Sequence, residues 1–165
     1  MSVKKKNLSD HKSDDVPSAK GMSIAIVVSE WNAEITEALY QGCYKTLVEY
    51  GCEKKNILRR NVPGSFELPL GALLLAEHHK PDAVICLGCV IQGETRHFDF
   101  ICQAVATGIM QLNLEYQMPF IFGVLTPDTM QQAIERAGGL HGNKGVEAAV
   151  TAIKMADLKK RSRKK

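Results

Sequence analysis

Two rhythms of apolar and polar positions alternate along this chain. "SIAIVVS" (23–29) is an unbroken apolar run, the pattern of a strand buried on both faces in a parallel sheet. "AEITEALYQGCYKTLVEYG" then brings Ile35, Leu39, Cys43, Leu47 and Tyr50 back at helical spacing, with Gly51 as the stop. "ILRRNV" (57–62) predicts a second strand, at a sheet edge. "ELPLGALLLAEHHK" predicts a helix with Pro69 near its first turn, where a missing N–H costs little. "DAVICLGCVI" (82–91) is a third strand. A helix from about 95 to 116 follows, with Phe98, Cys102, Val105, Ile109, Leu112 and Tyr116 on one stripe. "PFIFGVLT" (119–126) is a fourth strand, and Pro127-Asp128 leads into the helix "TMQQAIERA". The glycine-rich "GGLHGNKG" (138–145) separates it from a last helix, "VEAAVTAIKMADLKK".

The order β-α-β-α-β-α-β-α-α requires parallel strands with right-handed crossovers, hence a three-layer α/β/α sandwich. A chain of 165 residues can bury such a core in one domain, and no internal repeat is visible.

Charge changes the picture only at the ends. The net charge of +3 divides into +2 over residues 1–20, −5 over 21–158 and +6 over the tail "KKRSRKK" (159–165). A nucleic-acid-binding domain carries its basic surface on the folded body, so no nucleic-acid partner is predicted, and both ends read as solvating segments. Residues 1–20 are expected to be disordered or extended. No apolar run reaches the ~20 residues of a membrane span. The N-terminus lacks a secretory apolar block, and Asp10, Asp14 and Asp15 argue against a transit peptide, which makes the cytoplasm the expected compartment. Five cysteines, an odd number, fit a reducing environment. Cys86-Leu-Gly-Cys89 has redox-motif spacing, but inside a strand residues three apart point to opposite faces. Neither redox chemistry nor a metal site is expected from it.

Ligands of open α/β sheets bind beyond the carboxyl ends of the strands. Here those ends are "SEWN" with the chain's one Trp, "VPGSFELP", "CVIQGETRHFDF" and "FGVLTP". Together they offer aromatics, hydroxyls, a carboxylate and an imidazole on one edge, a set suited to a flat polar heterocycle. Gly93-Glu94-Thr95 before a helix is a candidate phosphate site, because free N–H groups and the helix dipole favour an anion there. The same residues serve equally as a capping segment. Arg136 and Lys144 are candidate counter-cations, or ordinary solvated helix-end charges. His97 is the natural acid–base group, since an imidazole can take a proton during carbonyl chemistry and return it. Asp99, two residues on, faces away from His97 on a helix, so no Asp–His dyad is expected.

"VPGSFELP", "LGCVIQGETRHFDF", "IFGVLT" and "QAIERAG…GNKG", in this order and spacing over residues 21–158, resemble the lumazine synthase family of riboflavin biosynthesis. The resemblance implies a flavodoxin-like sandwich with strand order 2-1-3-4. It also implies a cofactor-free and metal-free transferase that condenses 5-amino-6-(D-ribitylamino)uracil with 3,4-dihydroxy-2-butanone 4-phosphate to 6,7-dimethyl-8-ribityllumazine. On this resemblance Trp31 stacks on the pyrimidine, while Ser65, Phe66 and Glu67 hold the uracil and its ribityl chain. Cys89, Val90 and Ile91 add main-chain contacts there, and Phe122 adds an aromatic from a neighbouring subunit. Glu94, Thr95, Arg136 and Lys144 match the phosphate side, and His97 the proton-transfer residue. Cys89 stands where Thr is common, and Trp31 where Phe is frequent. A shared site implies a homo-oligomer, at least a pentamer, with association with riboflavin synthase as a further implied contact. Pro17 cannot supply a ladder donor in an N-terminal segment pairing with a neighbour's sheet. Two rivals carry different expectations. A flavin-binding flavodoxin-like module needs a Gly-containing phosphate loop after the first strand, where "SEWNAEIT" has none. A non-catalytic scaffold of the same fold would ignore both substrates.

Overall fold

The computed structural model describes residues 15–163. Its strands are β1 (Ile24–Ser29), β2 (Ile57–Val62), β3 (Ala83–Cys89) and β4 (Phe120–Leu125). They form one parallel sheet in the order β2-β1-β3-β4, the order that the family resemblance implies. Helices α1 (Ala33–Glu49), α2 (Leu68–His79), α3 (His97–Tyr116), α4 (Met130–Arg136) and α5 (Lys144–Ser162) cover it.

β1 and β3 are buried at every position, which explains why neither shows an in–out alternation. Two cores result, one per sheet face. Ile26, Val28, Ile85 and Leu87 pack with Ile35, Leu39 and Leu47 of α1 and Ala149 and Ile153 of α5. On the opposite face Val27, Val84 and Cys86 meet Leu68 and Ala72 of α2 and Val105 and Ile109 of α3.

β2 is the edge strand, as its sequence suggests, and its charges are put to use. Arg59 makes a two-pronged contact with Glu37 of α1, at 2.8 and 3.2 Å, and its guanidinium lies 4.1 Å over the Tyr40 ring. The Arg59 hydrogen bond holds the Glu37 carboxyl below its usual range, with burial opposing and Gln41 assisting. A depressed carboxyl contributes stability above its unfolded value, and the contribution is lost as pH falls through the folded one. The pair is well solvated, so it should be worth under about 1 kcal/mol. Acid unfolding of Glu37→Gln should therefore show a slightly shallower loss of stability than the parent across the carboxylate range.

Four details depart from the sequence reading. The stripe on α3 is buried only at Val105, Ile109 and Leu112, while Tyr116 turns outward and donates to Glu77 Oε1 at 2.9 Å. The glycine-rich segment, read as a loop, folds into an antiparallel pair, β5 (Ala137–Gly139) with β6 (Gly142–Asn143), turning through positive φ at Gly138 and Gly142. The basic C-terminal tail is helical as far as Ser162, where cations complement the helix end and Arg161 pairs with Asp157 at 2.7 Å. Residues 16–19 pack on the body, with Val16 and Ala19 in the core and the Ala19 N–H donating to Tyr50 O at 2.8 Å. For residues 1–14 the expectation of a disordered or extended segment over 1–20 falls outside the described residues, as do the last two lysines. Among the described residues no helix is long and apolar enough to cross a membrane.

Candidate active site

The ends of β1, β2 and β3 and the first turns of α3 enclose an open cleft of about 860 Å³. β1 ends at Ser29, and the segment beyond it is drawn toward β2: the Glu30 N–H donates to Val62 O at 2.8 Å and the Trp31 N–H to Pro63 O at 3.1 Å. Trp31 is thereby fixed through its backbone while its ring stays 72% exposed at the mouth. An exposed Trp on an anchored backbone can offer its ring face for stacking.

On the β2 side, "PGSFE" forms a tight turn followed by a single 3₁₀ turn. Glu67 Oε2 accepts the Gly64 N–H at 3.0 Å and holds that turn closed. Ser65 is buried beneath it, and its hydroxyl is the one buried side-chain polar atom without a hydrogen-bond partner among the described residues. Gly88 makes room for this hydroxyl, since a Cβ there would lie 2.6 Å from Ser65 Oγ. A buried hydroxyl left unpaired is costly, so its place on the cleft wall suits a polar ligand group. Phe66 beside it is exposed by about half.

β3 delivers Cys89, Val90 and Ile91 to the floor. The Cys89 thiol belongs to the core, and burial pushes it up to about 11. What Cys89 offers the cleft is therefore backbone, and the hydroxyl of a Thr at this position would be similarly withdrawn. Cys89→Thr should leave KM for both substrates little changed while lowering Tm, because the added hydroxyl is buried with the side chain. Val90 and Gln92 tie the segment to β4 through Leu125 O at 2.8 Å and Pro127 O at 3.0 Å.

Gly93 and Thr95 line the far end, with exposed Glu94 between them. His97 begins α3, and its backbone N–H donates to Thr95 Oγ1 at 3.4 Å. Its ring is exposed at the cleft beside Phe98 and Ile101. The cleft thus gathers nine of the residues picked from sequence: Trp31, Ser65, Phe66, Glu67, Cys89, Val90, Ile91, Thr95 and His97.

Three others stand elsewhere. Arg136 and Lys144 line a separate cavity of about 240 Å³ with Thr126, Pro127 and Gln132, beyond the end of β4. Arg136 Nη1 donates to Gln132 O at 3.1 Å, and Lys144 Nζ to Glu147 at 2.6 Å. Phe122 lies on β4, 41% exposed, and lines neither cavity. Within one chain these groups do not join the cleft.

Asn32, Pro63, Gly64, Phe100 and Ile101 also line the cleft although the sequence does not mark them, and Phe98 lies on the cleft rather than in the core stripe. Pro63-Gly64 was legible as a turn next to the chosen Ser65. Asn32 showed no signal, because its role depends on a contact 57 positions away.

Residues 21–160 match the family described as 6,7-dimethyl-8-ribityllumazine synthase. The chain belongs to that family. Curated relatives carrying the same description agree over nearly their whole length. The Cytophaga hutchinsonii protein is 59% identical over 155 residues, 94% of this chain and 97% of its own. The Parabacteroides distasonis protein is 55% identical over 158 residues, 96% and 99% of the two chains. The Porphyromonas gingivalis protein is 56% identical over 154 residues, 93% and 96%. A lumazine synthase family member thus carries an open cleft at the strand ends and a second, cation-lined cavity beyond β4.

Proposed function

We infer that this chain is a transferase that condenses 5-amino-6-(D-ribitylamino)uracil with 3,4-dihydroxy-2-butanone 4-phosphate to 6,7-dimethyl-8-ribityllumazine, releasing phosphate and water, and that it does so in the cleft beyond β3. The observation that carries the location is the convergence of an exposed Trp31 ring, an unpaired Ser65 hydroxyl and the Thr95–His97 helix start on one cavity.

The pyrimidine lies on Trp31, its polar edge against the main chain at Val90 and Ile91 and its ribityl chain toward Ser65, Phe66 and Glu67. The phosphate of the second substrate lies at Gly93–Thr95, where the start of the 20-residue α3 favours an anion. The amine of the pyrimidine attacks the ketone, water leaves and a Schiff base forms. Loss of a proton and of phosphate follows, and the ribitylamino nitrogen then closes the ring on the remaining carbonyl with loss of a second water. His97, at the cleft between the two subsites, takes up and returns the protons. Holding amine and ketone together supplies most of the acceleration, up to ~7–11 kcal/mol in favourable cases.

The cation cavity completes the site from a second copy. Arg136 and Lys144 of the partner subunit approach the phosphate, and Phe122 of the partner subunit covers the pyrimidine. In favour of this reading, both cations are held in place by neighbours of their own, and large apolar side chains are exposed on α2 and α3, among them Leu70, Met110 and Leu114. A ring of at least five copies is the assembly proposed, with riboflavin synthase, which consumes the product, as a further partner. The five free cysteines suit the reducing cytoplasm.

Purified protein supplied with both substrates should form lumazine and phosphate in equal amounts, above the rate without protein. Equal rates with and without protein would leave a scaffold of the same fold. Trp31→Ala should raise KM for the pyrimidine by about tenfold, the loss of one stacking contact of ~1.4 kcal/mol. Trp31→Phe should stay within a few-fold.

A further inference from the structure

We propose that Asn32 is a positioning residue: its side-chain amide sets the spacing between the Trp31 ring and the main-chain groups of Val90 and Ile91, and so governs capture of the flat heterocycle. The inference rests on the stacking role of Trp31 proposed above.

The ladder between β1 and β3 ends with Val28 opposite Leu87. Beyond that point the β1 segment is drawn toward β2 by the Glu30 and Trp31 N–H groups. Asn32 ties it back to β3, its Nδ2 donating to Cys89 O at 2.9 Å. To do so the residue adopts a left-handed backbone, φ 59° and ψ 48°, a conformation that Asn tolerates better than most side chains. Its own carbonyl accepts the Ile35 and Thr36 N–H groups at 2.9 and 3.1 Å, so the same residue starts α1.

The bond falls at an informative place. Cys89 O and the Val90 N–H belong to one peptide unit, and that N–H donates to Leu125 O at 2.8 Å. The Cys89–Val90 peptide is therefore held at both ends, by Asn32 from the β1 side and by β4 from the other. Such a unit is a fixed pivot for the next peptide, which joins Val90 and Ile91, both of which line the cleft. Trp31 is the immediate chain neighbour of Asn32. One amide thus couples the stacking surface to the edge-reading backbone across the cleft, without needing to touch a substrate itself.

Two substitutions separate this role from that of the left-handed backbone. Asn32→Gly adopts positive φ freely and has no amide. Asn32→Asp keeps size and conformation but presents an oxygen to the Cys89 carbonyl. Initial rates of the full-length protein should be measured with each substrate varied in turn, alongside Tm and a Trp31→Ala control. Both variants should raise KM for the pyrimidine by about 3- to 10-fold, the worth of one hydrogen bond, with KM for the phosphorylated ketone unchanged. A Gly variant indistinguishable from the parent would overturn the proposal, since the backbone alone would then suffice. So would two KM values that rise together in step with a falling Tm. If Trp31→Ala itself left the pyrimidine KM unmoved, the stacking site would fall and the tether with it.

Discussion

His97→Ala should lower kcat for lumazine formation by about 10²- to 10⁴-fold, the usual range for losing a positioned acid–base group. A residual rate above the protein-free reaction should remain, because proximity of amine and ketone does not depend on the imidazole. His97 is exposed at the first position of α3, and its helix is anchored further along by Val105, Ile109 and Leu112. Removing the ring should therefore change stability by no more than about 0.5 kcal/mol. Single-turnover rates with both substrates saturating, read beside a thermal melt, check both halves of this expectation. An unchanged kcat would transfer the proton steps to another group or to water. Thr95→Val offers the complementary result: the hydroxyl that receives the His97 N–H is lost, and KM for the phosphorylated ketone should rise more than kcat falls.

The largest structural effect is expected from Gly145→Ala. A Cβ on Gly145 would overlap the carbonyl oxygen of Leu39 and lie 2.7 Å from its carbonyl carbon and 2.9 Å from Asn143 Oδ1. The first two obstacles are α1 backbone, so no rotamer change relieves them, and α5 must move off α1. Overpacking of this kind costs about 3 kcal/mol, a fall in Tm of roughly 6–12 °C for a chain of this size. Gly93→Ala is the control, because a Cβ there meets nothing within 4 Å. Differential scanning calorimetry at matched protein concentration should separate the two clearly. The displaced segment includes Lys144 and the Asn143 side chain, which accepts the Gly145 and Val146 N–H groups and donates to Ala38 O and Ala137 O. Gly145→Ala should therefore also weaken whatever Lys144 binds, while Gly93→Ala leaves the fold intact.

Much of this architecture was legible because periodicity encodes burial directly. β2 runs over the residues that its apolar pattern marks, and β1, β3 and β4 lie within one or two residues of theirs. The order of the strands was not in the pattern, and only the resemblance supplied it. What periodicity could not carry is contact between distant polar side chains and backbone. The Asn143 bond to Ala38 spans 105 positions and converts an apparent glycine-rich loop into a hairpin that launches α5. The Asn32 bond to Cys89 is of the same kind. Phe98 was misplaced for a related reason: at the start of α3 the apolar stripe runs past the end of the core and onto the cleft. Nine of the residues marked in the sequence line the cleft, each at or beyond a strand end: Trp31, Ser65, Phe66, Glu67, Thr95 and His97 stand out by residue type, whereas Cys89, Val90 and Ile91 are marked only by the family resemblance. The separation of Arg136 and Lys144 from them was not legible, because spacing along a chain does not reveal which cavity a side chain lines.

The proposal that a second copy of the chain finishes the phosphate end of the cleft is tested most directly by subunit mixing. His97→Ala and Arg136→Ala chains, each nearly inactive alone, would be co-expressed with separable tags and purified as mixed oligomers. Sites built head-to-tail from neighbouring subunits would include some with both residues intact, about a quarter in a random mixture. Lumazine formation should then recover to roughly that fraction of the parental rate. Mixed oligomers no more active than the two variants assayed separately would contradict the shared site.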